Sequence, residues 1–396
     1  MGEIVKVPSI LFLTNSYPDF DSSTRAIFVQ KMAHLLGQEG YRISVVTPKI
    51  YRNSRYLEEE KGITVYRFPF LAGDKLLIEY LKIPYLRMLL YYISGFFLTV
   101  YAVLRNRCDL IHIHWAIPTG LIGVWVGWLL KKPIVVTIHG SDFRMATERF
   151  SFLTKIFLYV CQRANQIVCV SELQRKEIEK MGVKAEKIST LPMGIDEPFL
   201  EVGRKRLEKS NGQSHTVLSN RNLLPLYNVS LLIRAIPKVI KEQPRTKFFI
   251  AGDGSDRKDL EKEASSLNLG SSVQFLGRLR HEKMAELLSQ ADIYVSTSLS
   301  DGTSVSLLEA MGSGAFPIVT DIPANREWIV DGRNGFLVPV DQAGILAGRI
   351  LNAISNRELL EKSRTENLLL VDEKAFWPTN IKRVEEIYSS LLSDVA

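Results

Sequence analysis

The stretch "DIYVSTSLSDGTSVSLLEAMGSGAFPIVT", residues 292–320, contains the pattern that decides the fold. It begins and ends with short apolar runs, "DIYVST" and "FPIVT", and the segment between them is long enough for a loop and an apolar helix. Continuous apolar strands separated by helices are typical of parallel sheets that are buried on both faces. The stretch therefore predicts a strand–helix–strand unit of an α/β domain.

The same alternation of short apolar runs and helical patterns extends through both halves of the chain. It predicts two doubly wound, Rossmann-like α/β domains. A charged segment with Gly, Ser and Asn, residues 201–216, predicts a boundary near residue 200. We expect a first domain at 1–200, a second domain at 201–375 and a closing amphipathic helix at 376–396. Strands are predicted at 9–14, 42–47, 63–68, 109–114, 134–139, 166–171, 188–193, 216–220, 247–252, 273–277, 292–297, 316–320 and 335–339.

Composition and charge narrow the choice of function. The chain has 396 residues, of which 46% are hydrophobic and 23% charged, as in soluble globular proteins. Its formal net charge of +7 belongs wholly to residues 1–200, which hold 25 Lys and Arg against 18 Asp and Glu. A basic surface of this kind attracts an anionic membrane or a phosphorylated substrate. We predict no nucleic-acid partner.

Cysteine usage and apolar segments bear on the compartment. Cys108, Cys161 and Cys169 lack metal-type spacing, which predicts buried thiols in a reducing cytoplasm. The apolar stretch near the N-terminus is short and strand-like, so we expect no export signal. Residues 88–104, "MLLYYISGFFLTVYAVL", carry no charge; we interpret them as a buried helix, with membrane contact as the alternative. We expect a cytoplasmic protein, with peripheral attachment to the inner face of the membrane as an option.

Two acids lie in the opening stretch, Asp301 in the loop and Glu309 in the helix. In open α/β sheets ligands bind beyond the carboxyl ends of the strands, so this loop is a candidate binding site. Backbone N–H groups from Thr303 to Ser306 would suit an anion such as a diphosphate. The two carboxylates would then accept hydrogen bonds from the hydroxyls of two sugars. The simpler alternatives are a turn or capping role for Asp301 and a helix-dipole role for Glu309.

The opening stretch resembles the Glu-x7-Glu signature of retaining glycosyltransferases of the GT-B fold, in particular glycosyltransferase family 4. Asp301 stands in the position of the first glutamate and Glu309 in that of the second. The resemblance implies two Rossmann-like domains that face each other across a cleft, with a C-terminal helix that crosses back to the first domain. Other segments that resemble the family, in its order, are "DLIHIHWAIPTG" (109–120), "PIVVTIHGSDF" (133–143), "ISTLPMGID" (188–196), "FFIAGDG" (248–254), "SVQFLGRL" (272–279) and "AMGSGAFPIVTD" (310–321).

The resemblance also implies roles for individual residues. Arg221 matches the arginine that contacts the donor diphosphate, and Tyr227-Asn228 occupies the place of a usual lysine-glycine pair. His139 matches the first-domain histidine near the donor sugar. The catalytic residues are then His139, Arg221 and Asp301. The donor-binding residues are Arg221, Arg278, Leu279, Asp301, Gly302, Thr303, Ser304, Val305, Ser306 and Glu309.

The first domain departs from the family at one loop. The glycine turn that usually follows the first strand is absent here, and polar residues stand in its place. We expect Ser22 and Ser23, together with Arg144, on the acceptor side of the site. Two further histidines, His112 and His114, alternate along a buried strand and are interpreted as structural.

The function that the resemblance implies is transfer of a sugar from a nucleoside-diphosphate sugar to an acceptor hydroxyl, with retention at the anomeric carbon. The expected acceptor is a polysaccharide or a lipid-linked glycan, and an anionic membrane surface is a further candidate partner. A UDP-sugar is the favoured donor, with glucose preferred only weakly. "DFD", residues 19–21, has the metal-binding Asp-x-Asp form but the wrong place for this fold, so we predict neither metal nor cofactor. A nucleotide-sugar epimerase of the same fold and a noncatalytic nucleotide-sugar-binding protein are the alternatives.

Overall fold

The computed structural model describes residues 7–20, 25–71, 73–74, 84–148, 151–208 and 215–393. The chain forms two compact units, each with its own sheet. The first unit comprises Met1–Leu191 and Ile381–Ala396, and the second comprises Pro192–Asn380.

A largely parallel sheet forms the first unit. Its strands, within the described residues, are β1 (Ser9–Thr14), β2 (Arg42–Lys49), β3 (Leu57–Glu60), β4 (Ile63–Pro69), β5 (Leu110–His114), β6 (Ile134–Ile138), β7 (Gln166–Cys169) and β8 (Ile188–Thr190). They lie in the order β3-β4-β2-β1-β5-β6-β7-β8, and only the pair β3–β4 is antiparallel. The strands predicted in this part of the sequence all form. The short edge strand β3 was not predicted, because its sequence "LEEE" carries three acids.

Helices cover both faces of this sheet. They are α1 (Ile27–Gln38), α2 (Tyr85–Arg105), α3 (Thr119–Leu130), α4 (Ser141–Glu148), α5 (Ser151–Arg163) and α6 (Glu172–Lys180). Buried side chains of α2, α3 and α5 form one core with the sheet, and α1 packs in the core on the other face. Cys108, Cys161 and Cys169 are buried in the first of these cores and form no disulfide, as predicted.

The second unit is built on a parallel sheet with helices on both faces. Its strands, among the described residues, are β9 (Thr216–Ser219), β10 (Lys247–Ala251), β11 (Val273–Gly277), β12 (Ile293–Ser296), β13 (Phe316–Thr320) and β14 (Phe336–Val338), in the order β11-β10-β9-β12-β13-β14. The helices are α7 (Glu197–Glu208), α8 (Val229–Glu242), α9 (Arg257–Ser266), α10 (His281–Gln290), α11 (Val305–Gly312), α12 (Pro323–Arg326), α13 (Ala343–Ser355), α14 (Arg357–Lys374) and α15 (Trp377–Ser393). Every strand predicted here forms, so the predicted class of two doubly wound α/β domains is confirmed.

The last helix, α15, returns to the first unit. It begins at Trp377 in the second unit, and from Ile381 onward it belongs to the first. Its Ile381, Val384 and Tyr388 side chains pack in the same core as α1. The predicted closing helix that crosses back to the first domain is therefore confirmed.

The centre of the second sheet places two loops side by side. Because β9 and β12 are parallel neighbours, their carboxyl ends lie at the same edge of the sheet. The loop after β9 carries Arg221, and the loop after β12 carries Asp301 and Ser304. Gly252, after β10, has a φ of +137°, and a Cβ atom there would lie 2.2 Å from the Arg221 carbonyl oxygen. Only glycine permits this approach, which fixes the backbone that carries Arg221.

Helix α2 departs from the predicted buried helix. It extends beyond the predicted run at both ends, and it buries only one side, against β1, β2 and β4. Within the described part of the chain it is the one helix long and apolar enough to cross a membrane, with a mean hydropathy of 1.5 over its best window. Its assignment to the first α/β unit is correct, but the expectation that it is buried is wrong for its outer side.

Candidate active site

A buried arginine forms the centre of the site in the second unit. The Nη2 atom of Arg221 lies 2.5 Å from Asp301 Oδ2, and its Nη1 atom donates to Ser304 Oγ at 2.6 Å. Ser304 also caps α11, since its hydroxyl oxygen accepts a hydrogen bond from the Leu307 N–H at 3.3 Å. The N-terminus of α11 is thereby tied to Arg221 and Asp301.

The partner of Asp301 in this structure is a cation, which differs from the neutral hydroxyls predicted as its partners. Its Oδ2 atom accepts from Arg221, and its Oδ1 atom accepts from the Gly302 N–H at 3.0 Å. Asp301 therefore offsets the positive charge of Arg221. The Tyr227 ring covers the guanidinium, with 4.3 Å between its centroid and Arg221 Cζ. An aromatic ring thus stands where the resemblance led us to expect a second cation.

Unused hydrogen-bond donors collect at this end of α11. The Nε–H group of Arg221 is buried and has no hydrogen-bond partner among the described residues. The N–H groups of Val305 and Ser306 begin α11 and therefore have no carbonyl partner within the helix. A buried donor without an acceptor costs free energy, and a helix N-terminus attracts negative charge. Together these groups suit an anion such as a phosphate.

Glu309 lies further along α11 and is only 7% exposed. Burial raises the pKa of its carboxyl to about 7. His281, at the start of α10, opposes this shift: its Nδ1 atom lies 3.7 Å from Glu309 Oε1. Its Nε2 atom lies 3.1 Å from Asp196 Oδ2, and this hydrogen bond raises the pKa of His281. The site therefore contains a carboxyl that titrates near neutral pH beside a histidine held by a second acid.

Sequence reasoning missed His281 and Asp196. Their contact joins residues 85 positions apart, which no local pattern records. Asp196 ends the segment "ISTLPMGID", which resembles the family, and this was the one signal that could have drawn attention to it. Of the predicted residues close to His281 in sequence, Arg278 is exposed and Leu279 half-buried after β11.

The other predicted donor-binding residues lie around the start of α11. Gly302 is exposed, and Thr303, Val305 and Ser306 are half-buried. The structure thus brings Arg221, Asp301 and the residues from Gly302 to Ser306 together at one edge of the second sheet.

Three histidines form a row at the carboxyl ends of β5 and β6 in the first unit. The rings of His112 and His114 stack with centroids 4.4 Å apart, and those of His114 and His139 with centroids 5.3 Å apart. His114 Nδ1 lies 3.1 Å from His139 Nε2. Burial lowers the pKa of His112 and of His139 to about 3, so both rings are uncharged at neutral pH.

The two ends of this row differ in hydrogen bonding. Both ring nitrogens of His112 have partners, the Tyr388 hydroxyl at 2.5 Å and Thr137 Oγ1 at 2.7 Å, which fits a structural role. The Nδ1 atom of His139 is buried and has no partner among the described residues. The Nε2 atom of His114 is likewise buried without a partner among the described residues, so this end of the row has unused hydrogen-bonding capacity.

Asp142, which we did not predict, joins the loops after β5 and β6. Its carboxylate accepts from the Ala116 N–H at 2.7 Å and from the His139 N–H at 3.1 Å. Burial raises the pKa of Asp142 to about 6. A cavity of about 230 Å³ lies beside it, with Trp115 and Ser141 in its wall.

The predicted acceptor-side residues and the "DFD" segment also belong to the first unit. Arg144 is exposed on α4, and Ser22 and Ser23 lie outside the described residues. Asp19 pairs with Arg25 through one oxygen, and its other oxygen accepts from a serine hydroxyl at 2.6 Å. Both oxygens of Asp19 are thus engaged within the unit.

Comparison with solved structures defines the class of the protein. Sucrose-phosphate synthase from Thermosynechococcus elongatus superposes with a TM-score of 0.72 at 17% identity, over 98% of this chain and 100% of the other. Anabaena HepE in complex with UDP superposes with a TM-score of 0.74 at 19% identity, over 96% and 100%. These likenesses show the fold, which is the GT-B fold of glycosyltransferases.

Comparison of sequences identifies the family. The description "Glycosyltransferase Family 4" matches residues 26–198, and "Glycosyl transferases group 1" matches residues 204–367. Alpha-monoglucosyldiacylglycerol synthase of Streptococcus pneumoniae is 25% identical over 399 residues, which cover 96% of this chain and 84% of the relative. Phosphatidyl-myo-inositol mannosyltransferase of Mycobacterium tuberculosis is 29% identical over 262 residues, 64% of this chain and 66% of the relative. The chain belongs to glycosyltransferase family 4, and the predicted enzyme class is confirmed as a glycosyltransferase.

Proposed function

We propose that this glycosyltransferase moves a sugar from a UDP-sugar to an acceptor hydroxyl and retains the configuration at the anomeric carbon. The observation that carries the proposal is the junction of Arg221, Asp301 and Ser304 at the N-terminus of α11. It combines a cation, helix N–H donors and a carboxylate at the edge of the sheet where such folds bind nucleotides. The proposal includes no metal ion, since the guanidinium and the helix N-terminus supply positive charge for a diphosphate.

The donor diphosphate is proposed to lie against Arg221 and the first turn of α11. A planar guanidinium donates to two phosphate oxygens and stabilises the charge that the leaving group gains. Asp301 repels the same diphosphate, so we expect its carboxylate to turn toward hydroxyls of the transferred sugar when the donor binds. Glu309 is proposed to accept hydrogen bonds from the ribose hydroxyls, and its ionised form accepts them through both oxygens and more strongly.

Retention is proposed to follow from reaction on one face of the sugar. The bond from the anomeric carbon to the diphosphate oxygen breaks, the acceptor oxygen bonds to that carbon on the same face, and the departing diphosphate takes the acceptor proton. This scheme needs no general base from the protein. The low pKa of His139 supports it, because such a histidine is a poor proton acceptor at neutral pH. His139 is instead proposed to pair with a hydroxyl of the donor sugar.

The proposed identities of the donor base and of the donor sugar are supported by a similar protein. UDP is present in the crystal of the similar HepE, and that protein was also crystallised with UDP-glucose. In this chain Asp301 is one methylene shorter than the family's glutamate, so the preference for glucose stays the least supported part of the proposal. Backbone groups near Arg278 and Leu279 are proposed to meet the base.

A glycan or lipid-linked acceptor is proposed for the first unit. The names of both sequence relatives describe transfer to lipids, which supports an acceptor of this kind. The cavity beside Asp142 is the proposed acceptor pocket, with Ser22, Ser23 and Arg144 as further acceptor-side residues. The proposal places the enzyme in the cytoplasm at an anionic membrane surface.

Ligand-induced thermal stabilisation tests the donor site. A ligand at about 100 times its dissociation constant adds roughly 2.7 kcal/mol of stability. At equal concentration the nucleotide that binds most tightly therefore raises the melting temperature most, and we expect this to be UDP rather than GDP or ADP. Arg221→Ala should lose this increase, whereas Arg234→Ala, which removes an exposed arginine of α8, should keep it. An unchanged increase in Arg221→Ala would reject the assignment of the site.

Product analysis separates transfer from epimerisation. A nucleotide-sugar incubated without acceptor should stay unchanged or hydrolyse slowly, and with acceptor the new linkage should keep the anomeric configuration of the donor in its NMR spectrum. A new nucleotide-sugar formed without acceptor would identify an epimerase instead.

A further inference from the structure

Helix α2 exposes a stripe of large apolar side chains to solvent. Its buried side is narrow and consists largely of small residues. These buried residues are Tyr91, Gly95, Thr99, Ala102 and Val103. The exposed residues recur at every third or fourth position, which places them on one opposite face. They are Leu86, Leu89, Ile93, Phe97, Tyr101 and Leu104.

The exposure of this face is large. Leu86 is 84% exposed and Phe97 is 67% exposed. A helix on the surface of a water-soluble protein normally turns its apolar stripe inward and its polar residues outward. Helix α2 is apolar on its inner and its outer side, and the apolar outer side marks a surface that suits an apolar partner.

Helix α3 repeats this arrangement next to α2. At Gly123, a Cβ atom would lie 2.3 Å from Ile113 Cδ1, so the buried side of α3 has to stay small. Trp125 and Trp128 are exposed on the outer side, Trp128 to 74%. The Trp125 ring lies 6.3 Å from that of Tyr92 on α2, centroid to centroid. The outer faces of the two helices therefore adjoin, and we call them together the apolar face.

The charged residues on and directly after the helices of the apolar face are all basic. Helices α2, α3 and α5, which pack on the same side of the first sheet, contain no Asp or Glu. Basic residues on these helices or directly after them are Arg87, Arg105, Lys131, Lys132, Lys155 and Arg163. A groove of about 700 Å³ brings Trp125 and Trp128 together with Lys131, Lys132 and Arg163. Aromatic rings next to basic groups are typical of segments at a membrane–water interface.

We propose that the apolar face lies in the interface of an anionic lipid bilayer. The exposed stripe of α2 enters the boundary between headgroups and acyl chains, Trp125 and Trp128 lie at headgroup depth, and Lys131, Lys132 and Arg163 contact lipid phosphates. The inference rests on the proposed location at an anionic membrane surface and names the side chains that make the contact, but it does not depend on the donor assignment.

Crossing of the bilayer by α2 conflicts with its packing. Its buried side contacts β1, β2 and β4, and a Cβ atom at Gly95 would lie 2.7 Å from Ile122 Cδ1 of α3. A spanning α2 would have to leave this core and uncover the strands beneath it. A helix that lies in the interface keeps all of these contacts.

A second copy of the chain fits the apolar face less well than a bilayer. In a two-fold symmetric dimer the same surface meets itself, so Lys131, Lys132 and Arg163 would face the same basic residues on helices that contain no Asp or Glu. An anionic bilayer supplies the opposite charge instead.

Vesicle co-sedimentation of the full chain tests the proposal. One set of vesicles contains phosphatidylcholine alone, and the other contains phosphatidylcholine mixed with phosphatidylglycerol. We expect tighter binding to the second set by about tenfold or more, since each basic residue near the surface contributes about a factor of five. Phe97→Asp should weaken binding to both sets by about tenfold or more. The double variant Lys131→Glu/Lys132→Glu should lose the preference for phosphatidylglycerol.

The matched control is Leu369→Asp, which places the same charge on an exposed leucine of α14 in the second unit and should bind like the wild type. Circular dichroism of each variant checks that it folds. Vesicles should also shift the tryptophan emission of the wild-type protein to the blue, and Trp128→Phe should reduce this shift. Wild-type binding by Phe97→Asp would overturn the proposal. The proposal would also be overturned if light scattering showed that the wild-type protein is a dimer, that Phe97→Asp is a monomer, and that neither protein binds vesicles.

Discussion

The two sheets end in polar clusters of opposite character. At the carboxyl edge of the second sheet, Arg221, Asp301 and Glu309 are ionisable groups at one helix. At the carboxyl edge of the first sheet lie three stacked histidines, of which His112 and His114 are buried and His139 is half-buried, and His112 and His139 are held uncharged. The comparison teaches that a doubly wound sheet fixes where a ligand binds, whereas a few side chains decide which charge that place accepts.

The difference divides the proposed chemistry between the two clusters. The cluster of the second unit has a guanidinium and helix N–H groups, so it suits the charged diphosphate. The row of the first unit offers the ring nitrogen of His139 without a charge, so it suits a sugar hydroxyl. Substitutions in the two clusters should therefore differ in size and in pH dependence.

The largest effects are expected in the charged cluster. Arg221→Ala and Glu309→Ala should each lower turnover at least ~100-fold, the size expected for deletion of one oriented charged contact. Steady-state kinetics with a saturating UDP-sugar measures the loss. Arg234→Ala removes an exposed arginine of the same unit and should leave turnover within about twofold of wild type. If Arg221→Ala and Glu309→Ala both kept turnover near that of the wild type, the charged cluster would not be the diphosphate site, and the proposed difference between the two units would be rejected.

An intermediate effect is expected in the uncharged row. His139→Ala should lower turnover by roughly tenfold, because a neutral hydrogen bond contributes less than a charged one. His34→Ala, at a histidine of α1 outside the row, serves as the control. Since the pKa of His139 is held at about 3, its loss should not change the shape of the pH profile of kcat. A step near neutral pH that disappears only in His139→Ala would show that this histidine titrates, and the row would then not be neutral.

The fold could be predicted from the sequence because its strands are continuous apolar runs. Every predicted strand forms, and the edge strand β3 was missed because its acids can point to solvent on an antiparallel edge. The exposed side of α2 could not be predicted, because an apolar helix shows a hydrophobic run whichever side it buries. Only packing reveals that Gly95 faces α3 and that Phe97 faces outward.

The site was predicted only as far as local patterns and resemblance extend. The loop after β12 was found because ligands in open α/β sheets bind beyond the carboxyl ends of strands, whereas Arg221 was found through the resemblance to the family. The ion pair of Arg221 with Asp301 joins residues 80 positions apart, and no spacing rule records it. His281 and Asp142 act through contacts of the same kind, so their roles could be read only from the fold.

The smallest expected effect is the pH dependence of the KM for the donor, which tests directly whether Glu309 acts in its charged form. Glu309 has a pKa of about 7, and its ionised form binds two ribose hydroxyls more strongly because both oxygens accept and carry charge. As the pH falls below about 7 the carboxyl takes up a proton, so the KM for the donor should rise about fivefold between pH 7 and pH 6. His281 lowers the pKa of Glu309, so His281→Gln should raise that pKa and move the rise in KM to higher pH. Glu309→Gln, which cannot ionise, should show a high KM without this pH dependence. A rise in KM that persists in Glu309→Gln would have to come from another group, and Glu309 would then be no more than a buried acid of α11.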